Sequence, residues 1–291
     1  MVIDAHVHLW QKQQGKLDEN GKVYSIGNGR SIFGSEVRQM QPPYMLSGEN
    51  TIEYLISNMD YAGVNGAVVT QEYIDGNQDD YLLEVKQRFP ERIKICSLYE
   101  ENQSFRKEGF DGIKICAGRL REPLEKTLPV FEWAQEEKMF VSVDLAEGEE
   151  QVSAMKEIIE HCPNVRIAIG HFGMVNRPKW ERQIELACYP NVFIESGGIT
   201  WLFHEEFYPY TSAIKAIKRA ADICGMEKLM WGSDYPRTMT AITYRMAKDF
   251  VEKAEGLSGR DKELFLGKNA RQFYGFAEAT KLPYVKNMVE D

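Results

Sequence analysis

The sequence predicts a single α/β domain, a (β/α)8 TIM barrel over residues 1–291 with a lid-like insertion at about 11–47. Short β-branched runs alternate with longer amphipathic runs eight times along the chain, which is the pattern of parallel βαβ units. Most of the short runs are apolar throughout, as expected of strands that are buried on both faces. A doubly wound open sheet is the alternative, and it is disfavoured because no Gly-x-Gly-x-x-Gly motif follows any strand.

Eight short apolar runs are the predicted strands, at residues 2–5, 66–70, 93–98, 112–116, 140–143, 165–169, 192–195 and 228–231. Segments with a helical pattern lie between them. The first, residues 51–62, opens with Asn50 and Glu53, whose spacing is that of a capping box. Similar patterns predict helices at residues 81–89, 124–137, 150–162, 180–187 and 212–224.

One long segment, residues 11–47, interrupts this alternation between the first strand and its helix. It contains many Gly, Gln and Pro residues. Long loops inside compact domains usually serve as lids or binding loops. We therefore expect this segment to cover the active face of the barrel.

Composition excludes several classes of protein. The chain carries 35 Lys and Arg against 44 Asp and Glu, a net charge of −9, which does not suit a nucleic-acid binder that works by bulk electrostatics. No run approaches the roughly 20 apolar residues of a membrane-spanning helix, and no secretory signal is visible. Five cysteines without Cys-x-x-Cys spacing are typical of reduced thiols. We expect a cytoplasmic protein that acts on a small molecule, without a nucleic-acid or membrane partner.

Three strand ends carry groups that can do chemistry, and reactive residues in a barrel gather at the carboxyl ends of its strands. His6 and His8 end the first strand and point to the same side, because side chains alternate along a strand. His171 follows the sixth strand, and Asp234 follows the eighth. Each residue alone would also fit a structural role in a turn or core. Their joint position at one end of one barrel predicts a single pocket.

Other polar residues are candidates for a wider site. His204 lies in the loop after the seventh strand and fits the rim of the pocket, whereas His161 ends a helix, where an imidazolium suits the dipole. Arg237 and Arg119 follow the eighth and fourth strands, where they could clamp an anionic substituent, although Arg119 equally fits a solvated surface charge. Lys114, within the fourth strand, is a further candidate for binding substrate.

Six short motifs are spread over nearly the whole chain. They are Asp-Ala-His-Val-His-Leu-Trp at 4–10, Gly-Phe-Asp-Gly-Ile-Lys-Ile at 109–115, Gly-His-Phe-Gly at 170–173, Asn-Val-Phe-Ile-Glu-Ser-Gly-Gly at 191–198, Trp-Gly-Ser-Asp-Tyr-Pro at 231–236 and Leu-Gly-Lys-Asn-Ala-Arg-Gln-Phe-Tyr at 266–274. In this order they resemble the amidohydrolase superfamily, specifically the amidohydrolase-related (amidohydrolase-2) family. The resemblance implies a barrel of the metal-dependent-hydrolase type, with a divalent metal bound by the first-strand histidines and the eighth-strand aspartate. It also implies hydrolysis, decarboxylation or hydration of a small molecule.

The fifth strand departs from the family pattern. Many members end it with a histidine ligand, where this sequence has Asp144, and Lys114 lies within the fourth strand rather than at its end. The pattern of Asp144 on the fifth strand followed by His171-Phe172-Gly173 on the sixth resembles the sugar-lactonase and dicarboxylate-lactonase branch. That resemblance implies lactone hydrolysis or isomerisation and leaves open whether the metal is tightly bound, weakly bound or dispensable. Asp144 would be an oxygen ligand beside His6, His8 and Asp234, a set that suits Zn²⁺ first and Mn²⁺ second. Alternatively, it would orient a neighbouring group or face the barrel interior.

These observations predict a hydrolase that acts on a small polar ester, first of all a lactone of a sugar acid or a dicarboxylate. Asp234 would accept a proton from the attacking water. A metal held by His6 and His8, or the two imidazoles themselves, would stabilise the carbonyl oxygen. His171 would either stabilise the developing charge or protonate the leaving alkoxide. The alternatives are a metal-dependent non-oxidative decarboxylase of an aromatic or unsaturated acid, and a non-catalytic barrel that binds a small molecule. The resemblance also allows a homo-oligomer.

Overall fold

The computed structural model describes residues 1–18, 21–104, 108–278 and 281–290 and confirms the eight-stranded barrel. Its strands, numbered in chain order, are β1 (Ile3–Val7), β6 (Gly66–Val69), β7 (Ile93–Leu98), β8 (Gly112–Ile115), β9 (Phe140–Val143), β10 (Arg166–Ile169), β11 (Val192–Glu195) and β12 (Leu229–Met230). Neighbours in this order pair in parallel. All eight predicted strands therefore form, because each buried apolar run finds a partner on both sides.

The barrel is closed by hydrogen bonds between β1 and the segment that follows β12. Ala5 N donates to Trp231 O at 2.9 Å, and Asp234 N donates to His6 O at 2.9 Å. The next hydrogen bond between the two segments runs from His8 N to the Tyr235 carbonyl at 2.8 Å. The closing ladder therefore places Asp234 next to the two imidazoles of β1.

Helices surround the barrel, at α1 (Ile52–Ala62), α2 (Asp79–Arg88), α3 (Leu128–Glu136), α4 (Val152–His161), α5 (Glu181–Ile184), α6 (Ile199–Leu202), α7 (Thr211–Cys224), α8 (Tyr244–Glu252), α9 (Gly259–Glu263) and α10 (Asn269–Tyr274). The six predicted helices correspond to α1–α5 and α7. Four residues before α3 and four after α5 form 3₁₀ turns instead of α-helix. Helices α6 and α8–α10 were not predicted from the sequence. Across the described ranges, no helix combines the length and apolarity needed to cross a bilayer.

The capping box predicted before α1 does not form. The N-cap residue is Thr51, and no side chain caps the helix there. Asn50 instead pairs through its backbone with Trp10, and its amide Nδ2 donates to the His8 carbonyl at 2.6 Å. The prediction was wrong because a long-range contact that anchors the end of β1 takes the side chain that a local motif would have used.

The insertion is a four-stranded antiparallel sheet in the order β2 (Gln14–Lys16), β3 (Lys22–Gly27), β4 (Arg30–Phe33) and β5 (Glu36–Gln39). Tight turns connect β3 to β4 and β4 to β5. The first contains the Asn28-Gly29 dipeptide, a hairpin signal that the prediction of an irregular loop did not take into account. Residues 38–40, at the end of β5, line the cavity at the mouth of the barrel. The role of this sheet as a cover stays a prediction.

Candidate active site

A cavity of about 870 Å³ opens at the carboxyl ends of the barrel strands. The polar residues that line it are Glu72, Arg119, Asp144, Glu147, His171, His204, Asp234, Arg237 and Thr240, together with Arg38 and Gln39 from the insertion. His6 is fully buried and His8 is 2% exposed, and their imidazoles lie behind Asp234 and His171, which line the cavity. The cavity therefore has the position expected of a barrel active site.

The four residues that the sequence analysis places in one pocket are neighbours. His6 Nε2 lies 3.0 Å from His8 Nε2, and His8 Nε2 lies 3.0 Å from Asp234 Oδ1. The distance from His6 Nε2 to Asp234 Oδ1 is 3.9 Å. The rings of His6 and His171 have centroids 4.8 Å apart. Alternation along β1 and the two strand-end turns thus bring all four groups together.

The turns that carry His171 and Asp234 need unusual backbone. Both residues have positive φ, +54° and +57°, a conformation that persists only where the surroundings hold it. For Asp234, the buried Asp4 supplies that support, since it accepts hydrogen bonds from the Ser233 backbone and hydroxyl. Before His171, a Cβ on Gly170 would lie 2.0 Å from Asp144 Oδ1, so only glycine fits there.

Glu195, at the end of β11, orients His6, and the sequence analysis did not select it. His6 Nδ1 donates to Glu195 Oε1 at 2.7 Å, which leaves the Nε2 lone pair directed at His8 and Asp234. The other carboxylate oxygen accepts from Gly197 N at 2.6 Å. A carboxylate that ends a barrel strand was a readable signal, and it belongs to the motif at 191–198.

The donor set formed by His6, His8 and Asp234 fits a divalent metal. With Nδ1 of His6 donating to Glu195, its Nε2 is a bare lone pair that faces His8 Nε2 and Asp234 Oδ1. Burial lowers the pKa of His8 well below its usual value, so its ring is neutral. Nδ1 of His8 has no hydrogen bond and lies 3.4 Å from Asp75 Oδ2. The three donor atoms lie 3.0–3.9 Å apart, and tetrahedral ligands of Zn²⁺ are spaced by about 3.3 Å, so small shifts would bring them to ligand spacing.

Asp144 lies beside this set but is also paired elsewhere. Its Oδ1 is 2.6 Å from Lys114 Nζ, and its Oδ2 is 3.5 Å from His171 Nε2. Burial raises the pKa of Asp144, yet the charges of Lys114 and His171 outweigh burial and hold it well below its usual range. Asp144, His6 and His171 also form a second donor set within 4.8 Å. Ligation by Asp144 stays a prediction, with a buried ammonium competing for the carboxylate.

Lys114 faces the barrel interior and not the cavity. Its side chain is 0% exposed, and Nζ contacts Asp144 and, at 3.4 Å, Ser142 Oγ. Burial disfavours the ammonium, but Asp144 more than offsets this and raises the pKa of Lys114. A role in binding substrate is an untested prediction that this position does not support.

Arg237 is buried among carboxylates. Its Nη2 lies 2.8 Å from Asp75 Oδ2 and 3.1 Å from Glu72 Oε2, and its Nη1 lies 3.4 Å from Asp234 Oδ1. Burial lowers the pKa of the guanidinium, but these acids raise it above its usual value. Arg237 thus stabilises the charge of Asp234 from the wall of the cavity, and its predicted clamp on a substrate anion stays a prediction. Apart from its position in the loop after β6, nothing in the sequence indicated that Asp75 belongs to the site.

Trp201, on α6, completes the environment of Asp234. Its indole Nε1 donates to Asp234 Oδ2 at 2.6 Å. Burial raises the pKa of Asp234, but His8 and Arg237 outweigh burial and lower it far below the usual range. The carboxylate is therefore ionised at neutral pH, with one oxygen bonded to Trp201 and the other beside the two imidazoles.

Two predicted rim residues lie where the sequence analysis placed them. Arg119 lines the cavity, and its Nε is 3.7 Å from Glu72 Oε1. His204 also lines it, with Nδ1 2.9 Å from the Trp201 carbonyl. By contrast, His161 ends α4 on the surface, far from the site in the fold, and pairs with Glu132 at 2.9 Å. The structure thus agrees with the structural role given to His161.

We expect Glu195→Gln to weaken metal binding about 10- to 100-fold, because partners of a histidine ligand fix its tautomer and raise its basicity. Competition with a chromogenic chelator measures the Zn²⁺ dissociation constant directly. Glu136→Gln, at an exposed position of α3, is the matched control and should bind Zn²⁺ like the parent. Equal affinity of the Glu195→Gln and parent proteins would contradict this role.

Comparison with known proteins agrees with the geometry. The sequence model of the amidohydrolase family matches residues 3–276. No curated protein sequence matches the chain.

Solved structures of similar fold cover nearly the whole chain at low identity. An amidohydrolase from Burkholderia multivorans with bound zinc is 16% identical, with a TM-score of 0.68 over 95% of this chain and 100% of that one. A putative 2-pyrone-4,6-dicarboxylic acid hydrolase from Pseudomonas putida is 19% identical, with a TM-score of 0.68 over 94% and 97%. A 4-oxalomesaconate hydratase from Rhodopseudomonas palustris is 15% identical, with a TM-score of 0.57 over 94% and 96%. At these identities the likeness shows the fold alone.

Proposed function

The chain belongs to the amidohydrolase family and is a hydrolase, and from that premise we propose that it opens a small polar ester, first of all a lactone of a sugar acid or a dicarboxylate. The observation that carries the proposal is that Asp234 and His171 line one cavity, where contacts lower the pKa of the carboxyl and raise the pKa of the imidazole. Hydrolysis of an ester needs both a proton acceptor for water and a proton donor for the alkoxide. The 2-pyrone-4,6-dicarboxylic acid hydrolase among the structures of similar fold supports a lactone as the substrate class.

His6, His8 and Asp234 would hold the divalent metal that the family implies, with Zn²⁺ first and Mn²⁺ second. When bound, such an ion polarises a carbonyl oxygen and makes a water more acidic. That chemistry suits Asp234, because a carboxylate of such low pKa is a weak base and needs an acidified water. A zinc-bound structure of similar fold supports the choice of metal.

Asp234 accepts the proton as the water oxygen bonds to the carbonyl carbon of the substrate. Its Oδ1 is beside the imidazoles, whereas Oδ2 is fixed by Trp201 at 2.6 Å. The hydrogen bond from Trp201 and the positive φ of the turn therefore aim Oδ1 at the imidazoles of His6 and His8. A fixed orientation of this kind lowers the entropy cost of the step.

His171 donates the proton when the ring C–O bond breaks and the alkoxide leaves. Burial lowers its pKa, but the charge of Asp144 and the contact with it outweigh burial and raise the pKa to about 10. The ring is therefore cationic at neutral pH. Its Nδ1 bonds the Gly197 carbonyl at 2.9 Å, which leaves Nε2, between Asp144 and the cavity, as the donor.

The rim of the cavity supports an anionic or polyhydroxylated substrate. Arg119 and Arg38 both line it, and each guanidinium is about a third or more exposed. Arg119 could bind a carboxylate bidentately, whereas Arg38 is paired with Glu36 at 2.8 Å and adds positive charge to the rim. Glu72 and Glu147 also line the cavity and would accept hydrogen bonds from hydroxyl groups. The cytoplasmic location expected from the sequence stays a prediction.

A panel of aldonolactones and unsaturated dicarboxylate lactones tests the proposal, with ring opening followed by acid release. We expect turnover of at least one carboxylated or hydroxylated lactone by the purified protein. Release of CO₂ from an aromatic or unsaturated acid, with no lactone opened, would instead support the decarboxylase alternative.

Trp201→Phe should lower kcat for such a substrate about tenfold with little change in KM, because it removes one hydrogen bond to the ionised Asp234 and keeps an aromatic ring in the cavity wall. Steady-state kinetics measure both constants. Trp133→Phe on α3, outside the cavity, is the matched control and should leave both unchanged. A kcat for Trp201→Phe equal to that of the control would show that this bond does not assist the reaction.

A further inference from the structure

The insertion sheet has one edge covered by its own chain and one edge open. The outer edge of β2 is covered, since Gln14 N donates to Asp75 O at 3.2 Å and Lys16 N donates to Tyr73 O at 2.8 Å. At the other edge, β5 pairs with β4, and no further segment of the described chain bonds its backbone. All four residues of β5 are exposed.

The open edge presents backbone groups in the register of an antiparallel partner. A two-residue loop joins Phe33 to Glu36, which are paired across the hairpin. In such a hairpin this closing pair exchanges hydrogen bonds, and the next pair, Ile32 with Val37, does not. The N–H and C=O of Val37 therefore point away from β4, ready to bond another strand.

The charged residues of β5 would be complementary between two antiparallel copies of the strand. Glu36 and Arg38 have opposite sign and flank Val37, and both are more than half exposed. If two copies of β5 pair antiparallel about Val37, each Glu36 lies opposite the partner copy's Arg38. Charged residues on an edge strand usually prevent it from pairing with another strand. Here each charge would lie opposite a charge of the other sign, and such cross-strand pairs stabilise a sheet.

Three apolar side chains form a row across β3, β4 and β5. Tyr24 on β3 pairs with Ile32 on β4, which pairs with Val37 on β5, so the three side chains share one face. Tyr24 is 43% and Val37 58% exposed. Pairing two edges about Val37 would join the rows of both copies into one apolar strip of six side chains.

We propose that β5 pairs with β5 of a second copy of this chain across a two-fold axis, to form one eight-stranded antiparallel sheet. A two-fold interface is isologous, so a self-complementary strand is the element it requires. Residues 38–40 line the active-site cavity, which places the second copy at the rim of each site. The pairing does not depend on the proposed chemistry.

Sedimentation equilibrium of the full chain over a range of concentrations tests the pairing. We expect twice the mass of one chain for the parent. Val37→Pro, which removes the outward N–H at an edge position that tolerates proline, should give single chains. Val37→Thr keeps that N–H and is the matched control that should stay paired.

Exchanging the charges of Glu36 and Arg38 tests whether the two copies pair through β5 and not through another surface. Glu36→Arg alone sets like charges opposite each other and should raise the dimer dissociation constant about tenfold or more. The double variant Glu36→Arg with Arg38→Glu restores the complement and should return to the parent value. Thermal unfolding by circular dichroism confirms that each variant folds. A parent that stays a single chain at every concentration, a Val37→Pro variant that keeps twice the mass, or a double variant no tighter than Glu36→Arg would overturn the proposal.

Discussion

Asp234→Asn should lower kcat/KM for lactone hydrolysis about 10³-fold while the protein remains folded. The amide cannot accept the proton of the attacking water, and general-base assistance is typically worth about 10²–10⁴ in rate. It also removes the negative charge that His8 and Arg237 contact at 3.0 and 3.4 Å. Steady-state kinetics on the substrate found by the lactone panel measure the loss.

The matched control for this variant is Asp222→Asn, at an exposed position of α7, which makes the same chemical change outside the cavity. It should keep parental kcat/KM. Circular dichroism of both variants checks that the loss is chemical. Parental activity of Asp234→Asn would remove Asp234 from the role of base.

Lys114→Met should lower the free energy of unfolding by about 3 kcal/mol or more. The substitution keeps the length of the side chain but leaves the Asp144 carboxylate without the ammonium at 2.6 Å. Removing one partner of a buried ion pair costs about 3–5 kcal/mol. For a domain of this size that corresponds to a fall in Tm of roughly 6–12 °C, which thermal denaturation measures.

Two further variants distinguish the ion pair from a general loss of packing. Lys156→Met, whose side chain is 56% exposed and pairs with Glu160 at 3.9 Å, should change stability by no more than about 0.5 kcal/mol. Lys114→Met combined with Asp144→Leu removes both charges and should recover a large part of the loss. A double variant as unstable as Lys114→Met would show that the charge pair is not the cause.

The barrel was predictable from sequence because its signal is local and repeated. Each strand is a short run that is apolar on both faces, and each helix between them carries its own pattern. The same rule located four of the site residues, since strand ends meet at one mouth. The insertion sheet was missed because its strands are short and partly exposed, which leaves no continuous apolar run.

The residues that support the site were harder to find because their partners are distant in sequence. Glu195 bonds His6 across 189 positions, and Asp75 bonds Arg237 across 162. No residue close in sequence to either carboxylate indicates which distant side chain it bonds. Trp201 and Asn50 likewise have ordinary local surroundings, and only the closed barrel gives them their contacts.

Ring opening in H₂¹⁸O tests the central claim most directly, namely that His6, His8, His171 and Asp234 form one site where water attacks a carbonyl carbon. Mass spectrometry of the product after a single turnover locates the label. We expect one ¹⁸O in the new carboxylate and none in the released hydroxyl group. Label in the hydroxyl group, or an unlabelled product accompanied by CO₂, would contradict the account.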